Sequence, residues 1–173
     1  VNDTLGHEWV TKETSASNRN ILKYMINLKV VTPEKTVIEQ EVYQATLPIL
    51  GGEVTLLPNH MPYIGALRAG EIVLRVTAGG EETSLATSGG FAEFHDGVLS
   101  ILADTAERAD EIDLARAEAA RKRAEDLKKE RLSMDDEEYA RTAALIEKEM
   151  ARVKVARRHH TRHGLSMNNM TEE

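Results

Sequence analysis

The sequence has no cysteine, so disulfides, thiol catalysis and Cys-ligated zinc are all excluded. Aromatic residues make up only 4% of it. No apolar run approaches the roughly 20 residues needed to cross a bilayer. The amino end, V-N-D-T-L-G-H-E-W-V, carries no apolar signal core, and the chain is expected to be soluble and cytoplasmic. No G-x-x-x-x-G-K-[ST] run occurs, which excludes nucleotide hydrolysis by the P-loop route. G-x-S-x-G is absent too, and no Ser-His-Asp set stands in a recognisable context, so nucleophilic catalysis finds no support. No catalytic residue is assigned.

What is present is unevenly distributed. Among 173 residues the net charge is −7, with 41% hydrophobic and 29% charged side chains. Between Ile26 and Ala103, 4 basic residues stand against 9 acidic ones. Between Asp104 and His163 there are 15 of each. Dense charge of balanced sign suits solvated helices laced with ion pairs, and no blanket of positive charge points to nucleic acid as a partner.

Residues 1–24 are polar and aperiodic, and are expected to form a poorly ordered extension. From Ile26, segments such as I-N-L-K-V-V and T-V-I-E-Q-E-V alternate apolar and polar residues, as half-buried strands do. They are punctuated by Pro33-Glu34-Lys35, Gly51-Gly52, Ala69-Gly70, Gly79-Gly80, Gly89-Gly90 and Asp96-Gly97. Turn signals about every 8 to 12 residues indicate a β-sandwich or flattened barrel over residues 25–104, with the Gly pairs as hairpin turns or bulges.

Near Glu107 the periodicity changes to that of helices, which marks a second, differently built unit over 105–160. Asp110-Glu111-Ile112-Asp113 reads as a capping box, placing a helix start near Glu111. Ser133 with Asp136 gives a similar start for a second helix. Ala117, Ala120, Ala124 and Leu127 form one narrow seam. Tyr139, Ala143, Ile146, Met150 and Val153 form another with heptad-like steps. An antiparallel helical hairpin with its turn near Ser133 follows, and its small burial makes it a weakly held arm. Residues 161–173 are expected to be a flexible tail.

Glu107, Asp113 and Arg116 at the junction read either as caps and surface ion pairs or as ligands for a nucleotide. Lys154, Arg157 and Arg158 near the second helix's end, with Arg152, suit a solvated helix end or an acidic protein surface. His159, His160 and His163 read as a solvated polar tail, not metal ligands, because no carboxylate or Cys accompanies them. His60, between two prolines, reads as loop packing. A free adapter, whose basic arm binds an acidic protein or RNA, is the alternative function from these features alone.

The runs G-E-V-T-L-L-P-N-H-M-P, A-L-R-A-G-E, S-G-G-F-A-E-F and L-A-D-T-A-E-R-A-D-E-I-D-L-A-R-A, in that order, resemble the epsilon subunit of the bacterial F-type ATP synthase from about Met25 to Arg158. The resemblance implies a sandwich of about ten short strands followed by a helical hairpin. It implies a non-catalytic subunit of a proton- or sodium-driven rotary ATP synthase, in the central stalk. The partners would be the gamma subunit, the c-ring of the membrane rotor and the catalytic beta subunits, with the membrane reached only through the complex, at its cytoplasmic face. Glu53 and His60 would lie toward the ring. Arg152, Lys154, Arg157 and Arg158 would meet an acidic segment of a beta subunit when the arm extends to block ATP hydrolysis. No cofactor is required. ATP is the regulatory ligand that the family motif I/L-D-x-x-R-A implies, present here as Ile112-Asp113-Leu114-Ala115-Arg116-Ala117. Glu107 occupies the family's upstream acidic position, and Arg152 fits one of its second-helix arginines. Lys148 stands where the other is expected, offering a point charge in place of a bidentate fork.

Overall fold

The computed structural model describes residues 25–129 and 135–168. Residues 1–24 and the turn near Ser133 lie outside them. Eight strands come first: β1 Ile26–Val31, β2 Thr36–Val42, β3 Gln44–Ile49, β4 Gly52–Leu56, β5 Tyr63–Arg75, β6 Glu82–His95, β7 Val98–Ala103 and β8 Ala106–Arg108. A 3-10 turn, Ala109–Glu111, leads into helices α1 Leu114–Lys129 and α2 Asp136–Asn168.

The alternation in the sequence is the alternation of burial. In β1, Ile26, Leu28 and Val30 are buried while Asn27 and Lys29 point out. The strands run in the order β2-β1-β7-β6-β5-β3-β4, with β8 on β6. β5 and β6 belong to both layers. Tyr63–Leu67 pairs with Gly90–Phe94, which in turn pairs with β7; Gly70–Arg75 pairs with Glu82–Thr87, flanked by β3 and β8. One core lies between the layers, with Ile26, Leu28, Phe94 and Ile101 meeting Leu47, Ile72, Leu74 and Leu85.

Eight strands stand where about ten short ones are expected, because Ala69-Gly70 and Gly89-Gly90 bend two long strands without ending them. Gly90 is the clearest case. Its φ is +133°, and a Cβ there would press into the carbonyl oxygen of Leu102 and lie 2.8 Å from the Cα of Ala103. A glycine is needed for so close a backbone approach at that angle.

The helices begin later than the sequence pattern suggests. Asp113, not Asp110, caps α1: its Oδ1 accepts from the Arg116 amide at 3.0 Å. Asp110 lies inside the 3-10 turn Ala109–Glu111. Asp135 caps α2 by accepting from the Glu138 amide at 2.8 Å, so the cap falls two residues beyond Ser133. Helix α2 also runs on through Asn168, past the boundary expected at residue 160. Arg162, two residues beyond that boundary, binds Glu82 of β6.

α1 and α2 are antiparallel neighbours, with Glu118 near the start of one bonded to Arg157 well along the other. Ala117 and Ala124 are buried as their seam requires, but Leu127 is 48% exposed and Met150 51% exposed. Helix α2 rests on α1 and on β5 and β6 at once. Its buried positions, Ile146, Glu149, Ala151, Val153, Val155 and Ala156, therefore spread over a wider arc than one heptad stripe.

Candidate functional site

The second core cluster sets the geometry of the junction. Ala86 of β6, Ala109, Ile112 and Ala117 close against Val153, Val155 and Ala156 of α2. This contact carries the preceding turn of α2 alongside β8, where Glu107 pairs in register with Ala86. Arg152 then reaches Glu107 through Nε at 2.7 Å and Nη2 at 3.4 Å, and donates from Nη1 to Glu149 at 2.8 Å. Glu149 is 5% exposed. Burial works against the guanidinium charge of Arg152, but the bonds to Glu107 and Glu149 outweigh it and raise its pKa. One cation is thus held between two carboxylates, one from the sheet edge and one from its own helix.

Beside this triad lies a cavity of about 450 Å³, lined by Glu107, Lys148, Glu111, Asp104, Glu34 and Lys35 among others. Four carboxylates face two ammonium groups there. Of the residues expected to touch nucleotide, Glu107 and Lys148 line this space and Arg152 stands behind Glu107. Asp113 is occupied as a helix cap. Arg116 is exposed and has no ion pair among the described residues. Ile112 and Ala117 are buried in the cluster and offer packing rather than polar contact.

Lys154, Arg157, Arg158 and Arg162 of α2 each find a carboxylate within the chain. Arg158 bonds Glu71 at 3.0 Å and Glu82 at 3.1 Å, and Lys154 lies 3.8 Å from Glu71. Arg157 binds Glu118 at 2.5 Å, and Arg162 joins Glu82. Glu71 also accepts from the Ser84 hydroxyl at 2.8 Å, and its side chain is only 3% exposed. Burial tends to raise the pKa of Glu82, but bonds from Arg75 and Arg162 overcome it and lower the value. Glu71, Glu82, Glu118, Glu149 and Arg162 were not singled out by sequence. The Glu81-Glu82 doublet and a lone Glu71 in an apolar strand were the available signals, but neither names a partner more than 70 residues away.

Glu53 is exposed beside the Gly51-Gly52 turn. His60 is half-buried, its Nδ1 donating to the Met61 carbonyl at 2.8 Å and its ring edge-on to Phe94 at 6.1 Å. His159 and His160 sit edge to face on α2, with centroids 6.2 Å apart. No group of three His, Asp or Glu side chains among the described residues is arranged to hold a metal ion; the side chain of His163 lies outside them. On the outer face of the other layer, Ile64, Phe91 and Leu102 are 76%, 61% and 62% exposed. They are neighbours across β5, β6 and β7, through the register Ala66–Phe91–Leu102.

The family model for the beta-sandwich domain of the ATP synthase delta/epsilon chain matches residues 25–109. An ATP synthase epsilon chain from Dehalococcoides mccartyi is 43% identical over 136 residues, covering 76% of this chain and 91% of its own. The chain belongs to the ATP synthase epsilon-chain family. An epsilon chain from Herpetosiphon aurantiacus is 41% identical over 132 residues, spanning 76% of this chain and 94% of its own. These alignments exceed the sandwich in length, so the likeness to epsilon chains extends into the helical arm. A chain of the Euglena gracilis mitochondrial ATP synthase, solved as an OSCP/F1/c-ring assembly, shares the fold with a TM-score of 0.65 at 21% identity, covering 90% of this chain and 88% of that one. As an epsilon chain the protein is a non-catalytic subunit of ATP synthase. No helix among the described residues is long and apolar enough to cross a membrane.

Proposed function

We propose that this epsilon chain works in the central stalk, joining the gamma subunit to the c-ring, and that its helical arm gates ATP hydrolysis by moving between two positions. The observation that carries this reading is the neutralisation of Lys154, Arg157 and Arg158 by Glu71, Glu82 and Glu118. Groups suited to an acidic segment of a catalytic beta subunit are engaged within the chain while the arm is docked. Undocking frees Lys154 and Arg158 from Glu71 and Glu82, so the sandwich and the catalytic head compete for these two cations, while Arg157 is held by Glu118 within the arm. An equilibrium between two such states shifts only by differential affinity. Small residues dominate the junction cluster, which keeps the apolar share of docking modest at about 25 cal/mol per Å².

Gamma would cover the apolar face of Ile64, Phe91 and Leu102, a neighbouring trio too exposed to be core. Glu53 and His60 would lie toward the ring. The subunit would sit peripherally, at the cytoplasmic face of the membrane, through the complex alone. ATP would act as a regulatory ligand of the docked arm, in the cleft of Glu107, Lys148 and Arg152, with Asp113 and Arg116 at the adjoining helix start.

Co-expression with gamma tests the partner assignment. The chain should co-purify with gamma stoichiometrically, and Ile64→Ser with Phe91→Ser should abolish this while the variant stays folded. Recovery of the double variant with gamma at full yield, or of the chain with nucleic acid in place of gamma, would refute it.

A further inference from the structure

The nucleotide cleft contains a residue that the family motif does not name. Glu149 lies one position after Lys148 and one helical turn before Arg152, and it is almost wholly buried at 5% exposure. Arg152 donates from Nη1 to it, while Nε and Nη2 face the two oxygens of Glu107. Both approaches by which a guanidinium grips a phosphate are therefore occupied. We propose that Glu149 sets the affinity of this cleft for nucleotide phosphates by holding Arg152 in an internal ion pair, so that the docked arm is latched without ligand and ATP is gripped only when that carboxylate is neutralised. The inference rests on the nucleotide reading given above and concerns the regulation of that same site.

Three features support it. A phosphate that takes Nη1 from Glu149 leaves a buried carboxylate without its partner, which is costly because water cannot reach it. A phosphate that displaces Glu107 moves a more exposed group, with 41% of its side chain accessible, but it then shares Arg152 with Glu149, whose negative charge at Nη1 repels it. The adjoining cavity repeats the bias: Glu34, Asp104, Glu107 and Glu111 outnumber Lys35 and Lys148 on its walls. An anion entering there meets more negative than positive charge. The two carboxylates at Arg152 stand where a ligand's phosphates would otherwise complete the bond between β8 and α2.

The test is calorimetric titration of the full chain with ATP and, separately, with inorganic triphosphate. Wild type should bind both weakly. Glu149→Gln keeps the size and an acceptor oxygen but removes the charge, and should bind at least about tenfold tighter, a change of 1.4 kcal/mol. Glu149→Ala should act in the same direction and covers the case in which the amide disturbs the helix. Glu137→Gln, which removes an exposed carboxylate from Arg141 instead, should leave both affinities unchanged. Submicromolar binding of ATP by wild type overturns the proposal, as does an equal affinity of wild type and both Glu149 variants for both ligands, including no detectable binding. A gain for triphosphate without a gain for ATP keeps Glu149 as the gate and removes the adenosine part of the nucleotide reading.

Discussion

Replacing Arg158 by Met should loosen the arm and leave the sandwich intact. Arg158 spans two sheet residues, donating to Glu71 at 3.0 Å and to Glu82 at 3.1 Å. Without it, Glu71 keeps only the Ser84 hydroxyl at 2.8 Å and Lys154 at 3.8 Å, although its side chain is 3% exposed. Glu82 keeps Arg75 and Arg162. Breaking a fully buried pair by removing one partner costs about 3–5 kcal/mol, and an exposed pair about 0–1. Arg158 lies between these limits at 41% side-chain exposure, so water screens part of the loss. An arm weakened by about 2 kcal/mol follows, which is about thirtyfold in the opening equilibrium. Amide hydrogen exchange reads it directly. Amides of α2 should lose about thirtyfold protection, while those of β1 and β7, in a separate core, keep theirs. Arg157→Met is the control, because its bond to Glu118 joins side chains that are 60% and 41% exposed; it should cost less than about 1 kcal/mol. Unchanged protection in Arg158→Met, or equal losses in α2 and β1, would refute the reasoning.

Two further outcomes follow from the site geometry. Asp113→Ala should destabilise the start of α1 by about 1 kcal/mol, and Asp113→Asn should not, since the amide oxygen can still cap the Arg116 amide; exchange at the α1 amides distinguishes them. Acid should loosen the arm through Glu82: its pKa is lowered when docked, so its contribution is complete above the ordinary carboxylate range near about 4.3 and is lost as pH falls through the depressed value. Glu82→Gln should flatten that dependence in a pH series of α2 exchange.

Much of the sandwich was legible because β1 and β7 bury alternate residues, and alternation is a local property. Gly89-Gly90 reads locally as either a hairpin turn or a bulge; the strand runs on through it, and the need for glycine at Gly90 comes from Leu102, which local pattern cannot reveal. The helix starts were misplaced for a related reason. Asp110 and Asp113 both look like caps, and only the 3-10 turn that takes up Asp110 decides which one serves. At the site, Glu107 and Arg152 were identifiable through the family motif, but Glu149 was not. Its role depends on burial, and a glutamate three residues from an arginine on a charged helix ordinarily forms a solvated pair. Glu71 shows the same limit, since its partner Arg158 lies 87 positions away.

The central claim is that the arm restrains hydrolysis by leaving the sandwich. The direct measurement is ATP hydrolysis by the assembled ATP synthase with the full chain and with a chain ending after Arg108. A cut near Asp104 would remove β8 and the buried Ala106 as well, so the later boundary keeps the sandwich whole. A higher hydrolysis rate with the shortened chain, at equal incorporation into the complex, is the predicted result. Identical rates would contradict the account.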